Sequence, residues 1–387
     1  MDLLPVIVAG VSLGIWVVLT FFRGAFWLVR AFDRDSAGEE PLSKQPRVVA
    51  VVPARDEAQT IERCVESLLR QDYPGRVELI VVDDHSRDGT GALARNAAQS
   101  AREAKRVTIL EAKDLQAGWT GKLWALEQGI SSGAAFEPEY YWFTDADIVH
   151  APDTLRWLVA RAENQRLDLT SLMVLLQAKT VAEKLLIPAF LYFFLMLYPP
   201  KWIADGDSHT AGAAGGCILL RREALERIGG IAAIRAEVID DCELAHAVKR
   251  SGGAMWMGLT RKSLSLRSYS TFFEIRDLIA RTAFTQLGYS AMVLIATIAG
   301  MLLIYSLPVL FAFQTEPVIW RIGLAAWALM TLTYLPTVRF YGLSPLWAPG
   351  LPFAAIFYTY ATCVSAARYW TGRGGQWKGR AQAPVKS

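Results

Sequence analysis

The chain has 387 residues, and its 40 Lys and Arg stand against 37 Asp and Glu, a net charge of +3. That balance lacks the basic excess with which a chain neutralises phosphate backbones, so no nucleic-acid partner is expected. Hydrophobic residues reach 53%, charged residues only 20%, and the mean hydropathy of +0.25 exceeds what one moderate globular core needs. Cys64, Cys217, Cys242 and Cys363 have no CxxC or other ligand spacing, and the four His do not join them in sequence, so neither a zinc site nor a disulfide framework is indicated.

The apolar excess begins at the N-terminus. Leu3 to Phe22 carries no charge and is long enough, at 1.5 Å per residue, to cross about 30 Å of hydrocarbon. Asp2 with no preceding Lys or Arg, and the lack of a small-x-small site before Arg23, favour an uncleaved anchor (1–30) over a signal peptide. Arg23, Arg30 and Arg34 place the chain that follows in the cytoplasm.

Between 44 and 265 polar residues return in an alternating strand and helix pattern. RVVAVVPA (47–54) is a compact apolar run, and EAQTIERCVESLLRQ repeats Ile61, Val65, Leu68 and Leu69 at helical intervals. VELIVVDD (77–84), an Ala-rich helix over 90–104, RVTILEA (106–112), a helix over 122–133 and YYWFTDAD (140–147) complete the series. Apolar strands with acids at their C-terminal ends are the open α/β pattern, whose ligands bind beyond the strand ends. No GxGxxG or GxxxxGK[ST] motif supports a dinucleotide or P-loop site. LLIPAFLYFFLMLYPP (185–200) is short and aromatic-rich, and reads as a helix lying on a membrane surface or facing the acceptor, with a buried core helix as the alternative.

Residues 266–288 are expected to form an interfacial helical region. Apolar sequence resumes over 289–370, with room for crossings near 289–313, 318–338 and 347–367, followed by a basic tail (371–387). Three crossings after one anchor would place that tail outside, against its Arg368, Arg373, Lys378 and Arg380; a re-entrant or interfacial GLSPLWAPGLP (342–352) would restore even parity.

Asp145 and Asp147, at the end of an apolar strand, are the strongest chemical signal. A turn there brings both hard oxygen donors toward one Mg²⁺ or Mn²⁺, which bridges carboxylates to diphosphate. A solvated turn is the bland alternative. Asp83 with Asp84, and Asp56 with Glu57, bring carboxylates to the same edge from two other strands; Asp84 is a candidate acceptor for a base or ribose donor. Lys122 offers a positive charge to phosphate, or is an ordinary helix-start lysine. Asp240, Asp241 and Glu243 open a helical pattern, where an acid either removes a proton from an attacking hydroxyl or caps the helix. GAAGGCILLRREAL (212–225) would let a sugar or acceptor approach the backbone closely.

VVPARDEAQTI, ELIVVDDHSRDGT, WTGKLWAL, FTDAD and VIDDCELA, in this order and spacing, resemble the inverting family 2 glycosyltransferases of the GT-A fold over most of the chain. The resemblance implies a GT-A-type open mixed sheet with flanking helices, plus N- and C-terminal transmembrane helices. It implies that Pro53, Ala54, Asp56 and Asp84 line the nucleotide site, that Asp145 and Asp147 hold diphosphate and metal, and that Asp241 is the catalytic base. The family's acid pair here reads Asp240-Asp241. The QxxRW motif of processive synthases is replaced by RTAFTQ, which speaks against polymer synthesis and leaves Arg281 as a diphosphate contact.

The layout, with WKGR at 377–380, looks most like the hopene-associated glycosyltransferases of bacteria. That likeness implies a UDP-sugar donor, a membrane lipid acceptor of polycyclic isoprenoid type, and a multi-pass enzyme of the bacterial inner membrane with a cytoplasmic catalytic domain. Transfer to polyprenyl phosphate or to a sphingolipid-type acceptor is the main rival; a nucleotidyltransferase and a non-enzymatic membrane scaffold are the others.

Overall fold

A computed structural model describes residues 3–29 and 44–374 and the backbone of 376–377 and 380–381. Arg30, Arg34 and most of the basic tail, including Lys378, fall outside the described residues. In chain order the elements are α1 (Leu3–Phe22), β1 (Val48–Ala54), α2 (Ile61–Leu69), β2 (Val77–Asp83), α3 (Thr90–Ser100), β3 (Val107–Glu111), α4 (Gly121–Gly133), β4 (Tyr140–Phe143), β5 (Ile148–His150), α5 (Thr154–Asn164) and β6 (Leu169–Leu175). There follow α6 (Val181–Leu197), α7 (Pro200–Ala204), β7 (Ile218–Arg221), α8 (Arg222–Arg227), α9 (Asp240–Arg250), β8 (Met255–Ser265), α10 (Phe272–Ala280), α11 (Ala283–Gln286), α12 (Ala291–Met301), α13 (Leu307–Ala312), α14 (Pro317–Phe340) and α15 (Leu351–Trp370). Two short strands, Gln376–Trp377 and Arg380–Ala381, pair antiparallel near the C-terminus.

The chain divides into two units. One is a sheet unit assembled from 31–176, 202–268 and 375–387; the other is a helical unit assembled from 1–30, 177–201 and 269–374.

In the sheet unit the strands lie in the order β3-β2-β1-β4-β7-β6-β8-β5. β1, β2, β3 and β4 are mutually parallel, whereas β7 runs antiparallel to β4 and β6, and β5 antiparallel to β8. The sheet is therefore mixed, as the resemblance implied. Every residue of β1 is buried, so the strand carries a continuous apolar run with no polar face. α2 buries Ile61, Cys64, Val65, Leu68 and Leu69, the stripe that its periodicity indicated. α4 lies tightly on the sheet, because a Cβ on Gly129 would sit 2.3 Å from Val51 Cγ1.

In the helical unit, α1 buries Ala9, Ser12, Trp16 and Thr20 along one stripe. Ser12 Oγ donates to the Leu303 carbonyl at 2.9 Å and Trp16 Nε1 to the Ile304 carbonyl at 2.8 Å. These are the carbonyls that Pro308, lacking an N–H, cannot serve from four or five residues further on, and a π-turn covers Leu302–Ser306 there. Among the described residues four helices are long and apolar enough to cross a membrane: Leu3–Phe22, Ala291–Ala312, Pro317–Phe340 and Pro345–Trp370.

The 185–200 stretch differs from the surface helix expected. α6 buries nine of its 17 residues, including Leu186, Tyr192 and Leu195. Tyr192 Oη bonds Thr333 Oγ1 at 2.8 Å, and Tyr358 Oη donates to the Leu186 carbonyl at 3.0 Å. Its aromatic residues are thus the packing of the helical unit, and the core reading holds.

Candidate active site

Three parallel strands, β1, β2 and β4, end at one edge of the sheet unit. Beyond β1 the chain turns at Asp56, whose φ of 49° is left-handed, a conformation an Asp tolerates better than most residues. The two loops that follow β1 and β2 are stitched by side chains. Asp56 N–H donates to Ser86 Oγ (3.0 Å), Arg87 N–H to Asp56 Oδ1 (2.9 Å), and Glu57 N–H to Thr90 Oγ1 (2.8 Å). Asp83 accepts the Ser86 N–H at 3.0 Å, so this carboxylate builds the turn. Asp84 is 1% exposed, with Arg55 Nη1 3.4 Å from its carboxylate and His85 Nδ1 3.3 Å from it. Pro53 and Ala54 form the last two positions of β1, as buried backbone at this edge.

β4 stops at Phe143, and a turn carries Thr144 to Asp147. Its anchor is Thr144, whose Oγ1 bonds His150 Nε2 and the Gly216 carbonyl, both at 2.9 Å; His150 Nδ1 in turn meets Ser263 Oγ at 2.8 Å. Burial pushes His150 down to about 3, so it stays neutral and serves as a structural post. The turn sends its two acids to different cations. Asp145 Oδ1 lies 3.0 Å from Lys122 Nζ, whereas Asp147 Oδ2 lies 3.1 Å from Arg267 Nε and 3.2 Å from Ser265 Oγ. Arg267 also grips Glu57 Oε1 at 2.5 Å.

Lys122, at the start of α4, reaches Asp240 Oδ2 at 3.0 Å as well. Burial disfavours its charge, but Asp145, Asp240 and Asp241 outweigh that and hold the ammonium well above the usual lysine range. Asp241 accepts the Gly215 N–H on Oδ2 and the Cys242 N–H on Oδ1, both at 2.8 Å. Burial, then the neighbouring Asp240, pushes its carboxyl up to about 6, while Lys122 and the two N–H donors pull it back. The residue at the N-cap of α9 is Ile239, which has no polar side chain to cap with; Asp241 instead takes up the first-turn N–H of Cys242, and Asp240 faces Lys122. Gly215 keeps this approach open: a Cβ would stand 3.3 Å from both Asp241 Oδ2 and Lys122 Nζ, close enough that those side chains would have to shift. Pro53, Lys122, Asp145, Gly215, Asp240 and Asp241 line one cavity, backed by Leu123, Ile218, Ile231 and Leu244.

Among the described residues no three His, Cys, Asp or Glu side chains converge as a protein-only metal cage. Asp145 and Asp147 nevertheless fit the donor chemistry of Mg²⁺ or Mn²⁺, for which one or two carboxylates suffice when phosphate oxygens and water complete the shell. Arg281 belongs to the helical unit, where it closes α10 as an exposed residue. Sequence reasoning missed Arg267, His150 and the role of Gly215. Two of these carried a signal: His150 lies three residues past Asp147, and Gly215 falls within the small-residue stretch 212–225.

The family model described as glycosyl transferase family 2 matches residues 49–229. The chain is 26% identical to the probable glycosyltransferase YdaM of Bacillus subtilis over 227 residues, 56% of this chain and 51% of that protein. It is 33% identical to the glycosyltransferase AglE of Haloferax volcanii over 93 residues, 24% of this chain and 29% of that protein. It therefore spans about half the length of the first of these relatives and less of the second. Among solved structures it is similar to a mannosyltransferase of Pyrobaculum calidifontis in complex with GDP-Man and Mn²⁺, with a TM-score of 0.56 at 20% identity, covering 94% of this chain and 98% of that one. Residues 49–229, which carry Asp56, Asp84, Lys122 and the Asp145–Asp147 turn, match the glycosyl transferase family 2 model, and the mixed sheet that holds them has the GT-A-type fold of that solved mannosyltransferase.

Proposed function

We propose that the protein is an inverting, metal-dependent glycosyltransferase that moves a sugar from a nucleoside-diphosphate donor, UDP-linked, to a hydroxyl of a membrane lipid. The observation that carries this reading is the Asp241 carboxyl, pushed up to about 6, in one cavity with Lys122 and Asp145. A carboxylate with that affinity for protons is ionised at neutral pH and still basic enough to take the proton of an attacking hydroxyl. Two backbone N–H groups, of Gly215 and Cys242, fix its orientation. The acceptor oxygen then attacks the anomeric carbon opposite the diphosphate, and the single displacement inverts that centre.

Asp145 and Asp147 would hold Mg²⁺ or Mn²⁺, which supplies charge stabilisation to the departing diphosphate when bound. Lys122 adds a second cation from the protein side. The loops after β1 and β2, through Asp56, Glu57 and Asp84, are where the nucleoside would lie, as the resemblance implies. Four helices with the length and composition of membrane spans support a lipid acceptor, and the polycyclic isoprenoid class follows from the likeness of layout alone.

The test is transfer by detergent-purified protein from UDP- and GDP-sugars to membrane lipid extracts with Mn²⁺, read by product mass and anomeric configuration. A retained configuration, or full transfer by Asp241→Asn, would overturn the mechanism. A product on polyprenyl phosphate would overturn the hydroxyl acceptor.

A further inference from the structure

Resting on the reading of the long apolar helices as membrane spans, we infer that only three of the four cross, and that residues 341–370, which hold α15, enter and leave the bilayer on the same side. The argument is one of parity within the helical unit. α10 carries Glu274, Arg276 and Asp277, with Glu274 exposed and the Asp277 side chain 48% exposed, so α10 lies where water reaches it. After α11 the chain crosses through Ala291–Ala312, turns at 313–316, and crosses back through Pro317–Phe340. The end of α14 is therefore again on the side of α10.

The C-terminal end of α15 is pinned to that same side by four contacts. Arg368 Nη2 lies 2.6 Å from Asp277 Oδ1, and Ser365 Oγ donates to the Ala280 carbonyl at 2.6 Å. The Phe284 N–H donates back to Ser365 Oγ at 3.1 Å, and Tyr369 stacks on Tyr289 with ring centroids 4.4 Å apart. A net crossing by residues 341–370 would carry Arg368 to the opposite face from its Asp277 partner.

The stretch that leads into α15 agrees. Trp327 Nε1 donates to the Pro349 carbonyl at 3.2 Å, so residues 341–350 run back beside α14 to the level of Trp327, and α15 returns from there to the side of α10. The partner of the exposed α15 face is the lipid of one leaflet. Phe353, Ile356 and Tyr360, spaced i, i+3 and i+7, are 65, 53 and 50% exposed, and Phe273 beside them is 67% exposed. Arg276 and Arg368 supply the headgroup-level cations next to that face. This arrangement returns the C-terminal end of α15, with Arg368 and Arg373, to the side of α10 and removes the parity conflict.

Single cysteines at Gln314→Cys, Ser387→Cys and Ser100→Cys, each with Cys363→Ser, report the topology when sealed right-side-out and inverted vesicles meet an impermeant maleimide. The other native cysteines are buried. The expected result is that Ser387→Cys and Ser100→Cys label in one vesicle orientation and lose labelling in the other, with Gln314→Cys reversed. Labelling of Ser387→Cys together with Gln314→Cys would show a net crossing by residues 341–370 and overturn the inference. Labelling of all three in both orientations would overturn the membrane reading itself.

Discussion

Lys122 Nζ stands 3.0 Å from Asp145 Oδ1, and the same ammonium stands 3.0 Å from Asp240 Oδ2, joining the end of β4 to the start of α9. Its charge also lowers the proton affinity of Asp241. Lys122→Met should therefore cut kcat/KM by about 100-fold, the cost of one lost electrostatic donor. It should also move the acidic limb of the pH–rate profile upward, because Asp241 loses the cation that opposes protonation. A profile that falls in height but keeps its limb would show that Lys122 serves the diphosphate alone.

Activity should rise as pH passes through about 6, where Asp241 gives up its proton. Asp241→Asn should lower kcat by roughly 10²–10⁴-fold, the span of general-base catalysis. Stability moves the other way. The folded Asp241 carboxyl is raised above its unfolded value, so the native state keeps a proton that the unfolded chain releases, and stability declines as pH rises from near 4 to about 6. Thermal melts of the Asn variant should lack that decline and at pH 7 should lie no lower than the parent.

Arg267→Gln should free Asp147 and Glu57 from their shared guanidinium. Mn²⁺ binding to the nucleotide-free protein, followed by electron paramagnetic resonance, should tighten, because the ion no longer competes with a resident cation for Asp147. The same change should cost about 1–3 kcal/mol in chemical denaturation, the worth of hydrogen bonds to charged groups. Unchanged Mn²⁺ affinity would place the ion elsewhere.

Gly129→Val should destabilise the sheet unit by about 1–3 kcal/mol, since even a Cβ would meet Val51 at 2.3 Å and Val82 at 3.2 Å. Denaturant unfolding measures it directly.

What could be read from sequence was local. β1, β2 and β4 announce themselves as apolar runs with acids at their ends, and the α2 stripe follows from its spacing. The Asp145–Asp147 pair and Asp241 are recognisable because their neighbours in sequence give them context. Arg267 is different: it reaches Glu57 across 210 positions and Asp147 across 120, and nothing near Arg267 in the chain marks it. α6 was misplaced on a surface for the same reason, because Thr333 and Tyr358, which bury it, lie more than 140 residues away. The divergence of Asp145 and Asp147 onto separate cations is likewise a tertiary fact, invisible in the spacing of the motif.

The interruption of the sheet by α6 has a consequence for synthesis. During translation β6 appears before α6, while its neighbours β7 and β8 follow it, so the sheet cannot be completed until α6 has been left aside. The partners of α6 on α14 and α15 emerge last of all. A nascent chain must therefore carry an apolar helix without its final neighbours for more than a hundred residues of elongation, the kind of exposure that recruits chaperones and invites aggregation. Truncation within α14 should leave a sheet unit that can fold attached to a helix that cannot be buried, and the order of the chain makes the last segments guardians of solubility for a stretch made long before them.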